Sequence, residues 1–193
     1  MKVETLTGVA LSEALDDIAR LRIAVFRDWP YLYEGTMENE HSYLQAYEMS
    51  DRAIALAVYD GDWLVGASTG APLSEHAEDF ADAFEGTSLD IDTIFYCGES
   101  VLLPRYRGRG LGHQFFEARE EYARGMGFEK ICFASVVRPP DHPLKPAAYR
   151  ALDPFWEKRG YARLPGVVAQ FAWKDVDQVS ETTKPLQMWI RDL

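Results

Sequence analysis

The segment Leu103-Pro104-Arg105-Tyr106-Arg107-Gly108-Arg109-Gly110-Leu111-Gly112-His113-Gln114-Phe115-Phe116 follows an apolar run and crowds three arginines and three glycines into eight positions. Like charges repel, and glycine weakens strands and helices alike, so this composition asks for a turn that meets an anion. A strand that ends, turns through small residues and starts a helix leaves backbone N–H groups unpaired at the positive end of that helix. Glycine lets a phosphate approach those amides, and arginine forks match its oxygens. Spacing then decides which anion site this is. A P-loop ends in Gly-Lys-Ser/Thr, whereas Gly110 and Gly112 are followed by Leu111 and His113. A dinucleotide fingerprint needs glycines at its first, third and sixth places, but counting from Gly108 the sixth is His113, and from Gly110 it is Phe115.

The flanking elements fit a strand, a loop and a helix. Ile94 to Leu103 reads as a long strand. A helix from about Gly110 to Arg124 puts Leu111, Phe115, Ala118, Tyr122 and Met126 on one face and Glu117, Arg119, Glu120, Glu121 and Arg124 on the other. Upstream, Lys2 to Thr7 alternates as a strand, and a helix with Ser12 as its possible cap carries Leu11, Leu15, Ile18, Leu21, Ile23, Val25 and Phe26. The aromatic segment Asp28 to Gly35 breaks that helix at Pro30, and a short helix from about Glu38 to Met49 follows. Arg52 to Tyr59 and Trp63 to Thr69 form a hairpin around Asp60-Gly61-Asp62, and Ser74 to Phe84 reads helical and acidic. Lys130 to Val137 is another strand. After Pro139, Pro140, Pro143 and Pro146 comes a helix broken or kinked at Asp153-Pro154, then strands near Val167 to Trp173 and Leu186 to Ile190. This order predicts one α/β domain over residues 1–193, a mixed sheet with helices on both faces and a cleft at the C-terminal ends of its parallel strands.

Composition narrows the function. The 193 residues carry a formal net charge of −11, which argues against nucleic-acid binding through a basic face. Residues 1 to 100 hold 20 acids and 5 bases, and residues 101 to 193 hold 11 acids and 15 bases. That asymmetry suits an anion held by the C-terminal half and a cationic partner elsewhere, although an acidic surface also serves solubility alone. No run reaches 18 uncharged apolar residues and no secretory pattern opens the chain, so a cytoplasmic protein without membrane contact is expected. Cys97 and Cys132 sit in apolar runs as reduced core thiols, and His113 and His142 lack companions at metal-ligand spacing, so no metal site is expected.

Arg107, Gly110 and Gly112 resemble the Arg/Gln-x-x-Gly-x-Gly/Ala signature of the GNAT acetyltransferase superfamily. The preceding Leu102-Leu103-Pro104-Arg105-Tyr106 is similar to its strand-end run, and Phe155-Trp156-Glu157-Lys158-Arg159-Gly160-Tyr161 to its Tyr-Glu-Lys-x-Gly-Phe ending. The resemblance covers roughly residues 94 to 165 and implies a GNAT-like fold that transfers an acetyl group from acetyl-CoA to a primary amine by direct attack. It implies that the pyrophosphate lies on the loop Arg107, Gly108, Arg109, Gly110, Leu111, Gly112 and His113. The pantetheine arm would then run along Val101, Leu102 and Leu103, with Trp156 beside the cofactor. Glu99 stands five residues before Pro104, where many relatives carry a glutamate, and is the expected base; its other reading is a structural, ion-paired carboxylate. Trp156 occupies the place of a frequent tyrosine and is no proton donor of comparable acidity, which leaves Tyr149 as the candidate acid if the helix runs unbroken and puts the two on one face, a condition Pro154 works against; its other reading is packing. The thiolate can also leave unaided.

In this superfamily the N-terminal helices roof the acceptor site, so Trp29, Tyr31, Tyr33 and Glu34 are the expected acceptor residues, by cation–π contact and charge. Packing on the sheet explains the same rings. The expected partner is a small, cationic amine; a homodimer is compatible with the chain, whose oligomeric state the sequence leaves open. A second reading is an acyl-CoA-binding sensor or interaction module that lost turnover, which Trp156 keeps alive.

Overall fold

The computed structural model describes residues 2–193. Strand β1 (Val3–Leu6) leads into α1 (Gly8–Phe26), then α2 (Met37–Met49), and the hairpin of β2 (Ile54–Asp60) and β3 (Trp63–Pro72) turns at Gly61 with φ +62°. A 3₁₀ turn at Leu73–His76 precedes α3 (Ala77–Phe84), followed by β4 (Ile94–Cys97), β5 (Ser100–Leu102) and α4 (Leu111–Gly125). Strand β6 (Lys130–Val136), the short helix α5 (Asp153–Lys158), β7 (Ala162–Trp173) and β8 (Thr182–Asp192) complete the order.

The strands form one mixed sheet in the order β1-β2-β3-β4-β6-β8-β7, with β5 pairing only β3. Its parallel pair is β4 with β6, as a crossover through α4 requires. Side-chain alternation divides the core. Ile54, Leu56, Val58, Val65, Phe95 and Phe133 face α4, while Ala55, Ala67 and Ala71 give α1 and α2 a shallow surface to lie on. Helix α3 covers Tyr96, Cys132 and Leu186 through Phe80 and Phe84. Strand β2, buried on both faces, explains why its sequence is apolar without alternation.

Four elements differ from the sequence reading. Helix α1 starts directly after extended Thr7, so Ser12 lies inside it and its hydroxyl reaches Glu48 across to α2. The run Ile94 to Leu103 is two strands, not one. Helix α5 spans only Asp153–Lys158, since Pro154 sits in its first turn and disfavours helix before it, so Tyr149 and Trp156 share no helix face. Helix α4 buries Arg119 and Glu120 with Phe115 and Ala123, while Met126 is exposed.

Candidate active site

The site begins at the break between β4 and β5. Ala71 pairs with Tyr96 and Ser68 with Ser100, so three steps on β3 face four on its neighbour, a one-residue bulge at Gly98–Glu99. Only glycine fits there, because a Cβ on residue 98 would overlap the Tyr47 hydroxyl. The buried Glu99 carbonyl accepts from Thr69 N at 3.3 Å, Ser68 Oγ at 2.8 Å and Arg119 Nη1 at 2.8 Å. Arg119 thus places a buried guanidinium on the carbonyls that the bulge frees, Thr69 O among them at 3.2 Å.

Beyond the bulge the sheet splays. Pairing of β4 with β6 stops at Cys97 and Phe133, and among the described residues no pairing joins β5 to β6. Leu103 N donates to Val65 O and Thr69 N to Glu99 O, so the odd-numbered residues of this segment face β3. The backbone groups of Ser100 and Leu102 therefore point into the gap, where Leu102 O accepts from Arg107 Nε at 3.0 Å. Val101 and Leu103 lend the gap their neighbours rather than their own backbone.

At the end of β5 the chain makes a 3₁₀ turn at Pro104–Tyr106, with Tyr106 hydrogen-bonded to Asp60, and enters α4. Gly108 and Gly110 take φ of +74° and +80°, the left-handed region that favours glycine. The backbone amides of Gly108, Arg109, Gly110, Leu111 and Gly112 donate to no backbone carbonyl, while those of His113 and Gln114 return to Gly110 O. Gly112 lies in the first turn of α4, and a Cβ there would meet nothing in the protein. No packing contact inside the chain therefore requires a glycine at this position. Arg105, Arg107 and Arg109 are exposed around this corner. His113 follows in the same first turn, its Nδ1 3.2 Å from Arg159 Nη1. Trp156 packs on Phe133 and Trp189 with ring centroids at 4.9 and 5.2 Å, over the last residue of β6 that pairs with β4.

On the other face, α1, α2, α3 and the sheet enclose a cavity of about 1000 Å³. It reaches the splay at Gly98 and Ala134, and Tyr31, Tyr33, Tyr43 and Tyr96 line it. Its wall carries Glu34, Glu40, Glu75, Glu78, Asp79 and Glu181 against Arg22 and Lys174, an excess of carboxylate. Arg22 is buried and bridges Glu40 and Glu99, with its guanidinium 4.1 Å from the Tyr43 ring centroid. Burial works against that cation, but Glu99 and then Glu40 outweigh it and hold Arg22 above its ordinary range. Glu99 uses one oxygen for Arg22, and its Oε1 is buried without a partner. Burial also raises the pKa of Tyr43, Tyr47 and Tyr96, which keeps three neutral hydroxyls about the bulge.

The loop Trp29 to Glu34 is held from far along the chain. Arg138 Nε donates to Pro30 O at 2.8 Å, and its guanidinium also reaches Tyr31 O and both oxygens of Asp175, at 2.6 and 2.9 Å. Lys184 Nζ lies 3.3 Å from Asp175, and Trp173 Nε1 donates to Tyr31 O at 3.1 Å. This clamp turns Tyr31, Tyr33 and Glu34 into the cavity. Trp29 turns the other way, against His142 and Tyr149 at 5.1 and 5.9 Å. The structure therefore gathers Tyr31, Tyr33 and Glu34 on a cavity wall that reaches Gly98 but not the Glu99 side chain, and leaves Trp29 and Tyr149 as a separate pair outside that wall.

The clamp carries a pH signature. Burial would raise the Asp175 carboxyl, but the hydrogen bond and charge of Arg138, then Lys184, hold it below its ordinary range. A depressed native pKa stabilises the fold above the unfolded value of about 3.9 and ceases to as pH falls through the native one. Asp175→Asn is expected to cost roughly 3 kcal/mol in urea unfolding at neutral pH, because two buried cations lose their partner. That difference from wild type is expected to shrink below about pH 4; equal stability of the two proteins at neutral pH would disprove it.

Arg22, Glu40, Tyr43, Tyr47, His76, Tyr96 and Arg119 were not anticipated from sequence. For two of them a signal existed. Arg22 continues the stripe Leu11, Leu15, Ile18, and Glu40 starts the stripe Leu44, Tyr47, so each is a charge in an apolar position.

A family model described as the acetyltransferase (GNAT) family matches residues 18–161. No curated protein matches the chain by sequence. Among solved structures, a ribosomal-protein-alanine N-acetyltransferase from Brucella melitensis superposes with a TM-score of 0.62 at 12% identity, covering 100% of both chains. An N-acetyltransferase from Staphylococcus aureus Mu50 gives 0.60 at 10% identity, over 100% of this chain and 99% of that one. An acetyltransferase from Thermus thermophilus gives 0.55 at 19% identity, over 100% and 98%. At these identities the likeness is one of fold.

Proposed function

The chain belongs to the acetyltransferase (GNAT) family, and on that premise we propose that it acts in the cytoplasm to move the acetyl group of acetyl-CoA onto a primary amine of a small, cationic molecule, with both partners bound at once. One observation carries this reading: the carboxylate-rich cavity opens at Gly98 and Ala134 onto the same splay that leaves the Leu102 amide without a partner strand on the side away from β3. The residues fit the cofactor. Free amides from Gly108 to Gly112 and the open space at Gly112 suit a pyrophosphate at a helix N-terminus.

When bound, acetyl-CoA supplies its acetyl group as a thioester. The Leu102 amide, aimed into the gap, donates to the thioester carbonyl oxygen and holds the charge that grows there. Glu99 Oε1, buried and lacking a donor, accepts the amine's N–H and takes its proton. The carboxylates of the cavity wall draw the acceptor in as a cation. No acid is needed from Tyr149, because a thiol is acidic enough for its thiolate to leave.

Glu99→Gln is expected to slow thiol release about 100-fold at neutral pH, while acetyl-CoA raises the melting temperature of variant and wild type alike. Wild-type turnover in this variant would remove Glu99 from the role of base. Stabilisation by acetyl-CoA with no thiol release from any amine in a broad screen would make the protein an acyl-CoA-binding module.

A further inference from the structure

His76 ends the 3₁₀ turn after β3 and lines the acceptor cavity. Its side chain is 0% exposed, yet neither ring nitrogen has a hydrogen-bond partner. Tyr47 and Tyr96 pack against the ring, tilted and edge-to-face with centroids at 4.8 and 5.2 Å, and neither hydroxyl bonds to it. Asp79 Oδ2 stands 3.7 Å from Nδ1, too far for a hydrogen bond. A buried imidazole left with an idle donor and an idle acceptor costs free energy that a ligand can restore.

The chemistry of that ligand follows from what surrounds the imidazole. Arg22 and Lys174, the cations of the cavity wall, are already paired with Glu40 and Glu99 and with Glu34. Glu78 and Asp79, beside His76, are engaged by no lysine or arginine among the described residues. An ammonium group has N–H donors to spare: one meets the imidazole lone pair while another meets Asp79. Arg22 and Gly98 line the part of the cavity next to Glu99, which the transferase reading makes the reacting end, so the group at His76 is a second one.

We propose that His76, with Asp79, binds a second amino group of the acceptor, so that the preferred substrate is an aliphatic di- or polyamine. This rests on the transferase reading above. His76 is a specificity residue in it, remote from bond making.

The test compares α,ω-diaminoalkanes, from diaminopropane to diaminohexane, with 1-aminoalkanes of equal length, by thiol release from acetyl-CoA. Wild type is expected to favour the best diamine by about ten- to a hundredfold in kcat/KM, the worth of a hydrogen bond to a charged group. His76→Phe should bring that ratio near one, with rates on monoamines changed less than about threefold. Asp79→Asn, a half-exposed position, should lower the ratio without risk to folding. In parallel, thermal shifts with a diaminoalkane in the presence of coenzyme A read binding without turnover. A wild-type ratio near one, or a preference both variants keep, overturns the inference and leaves the transferase reading standing. A diamine shift that needs His76, with no thiol release, overturns the transferase reading and with it the diamine's role as substrate, and upholds only the binding of an amino group at His76. Absence of both release and shift overturns the inference.

Discussion

Gly112→Asp is expected to lose at least about 100-fold in acetyl-CoA affinity, nearly 3 kcal/mol, while unfolding at the wild-type temperature or slightly above it. The two signs follow from one position. In the free protein a side chain at residue 112 meets nothing, a glycine gives up conformational freedom there, and a carboxylate in the first turn of α4 favours the helix dipole. In the complex proposed above, the same carboxylate would occupy the place of the diphosphate and repel it. Loss of the cofactor-induced melting shift, measured beside the unliganded melting curve, checks both halves. If the variant melts lower and binds normally, the glycine serves the fold and the anion site is elsewhere.

The second large effect concerns Arg22. Arg22→Met is expected to destabilise the protein by roughly 3–5 kcal/mol, because Glu40 and Glu99 are left buried as neighbouring carboxylates without a cation. Adding Glu40→Gln and Glu99→Gln should recover most of that stability, since removing a whole buried ion network costs far less than breaking it. Turnover should stay lost in the triple variant, for the proton acceptor at Glu99 is gone. Urea unfolding and thiol release on the same three proteins separate the structural from the chemical share of Arg22; recovery of both would show Glu99 to be structural only.

Local rules made much of this legible in the sequence. The turn at Gly61 and the strand, loop and helix around Gly110 depend on residues within a few places of each other, and they form where the spacing predicts. The bulge at Gly98 is different. IFYCGESVLL reads as one apolar strand because hydrophobicity records burial and not register, and the extra residue is visible only against β3. Helix α4 offers two adjacent apolar rows. The one through Phe115 and Ala123 wins because Arg119, between them, finds the carbonyls freed by that bulge. His76 gave no periodic signal, as its burial comes from Tyr47 and Tyr96 on distant elements. Tyr149 shares a face with Trp156 only on an unbroken helix, and Pro154, the residue that speaks against one in the sequence, does confine α5 to Asp153–Lys158.

The clamp on the loop Trp29 to Glu34 has a temporal side. Its bonds span the chain from Pro30 and Tyr31 to Arg138 and Trp173, separations of 108 and 142 residues. During synthesis the helix after Gly110, whose Phe116 packs on Tyr161 in one core with Trp189, and the loop Trp29 to Glu34 both wait for the final hairpin to leave the ribosome. The last strands to emerge thus complete both faces of the sheet at once.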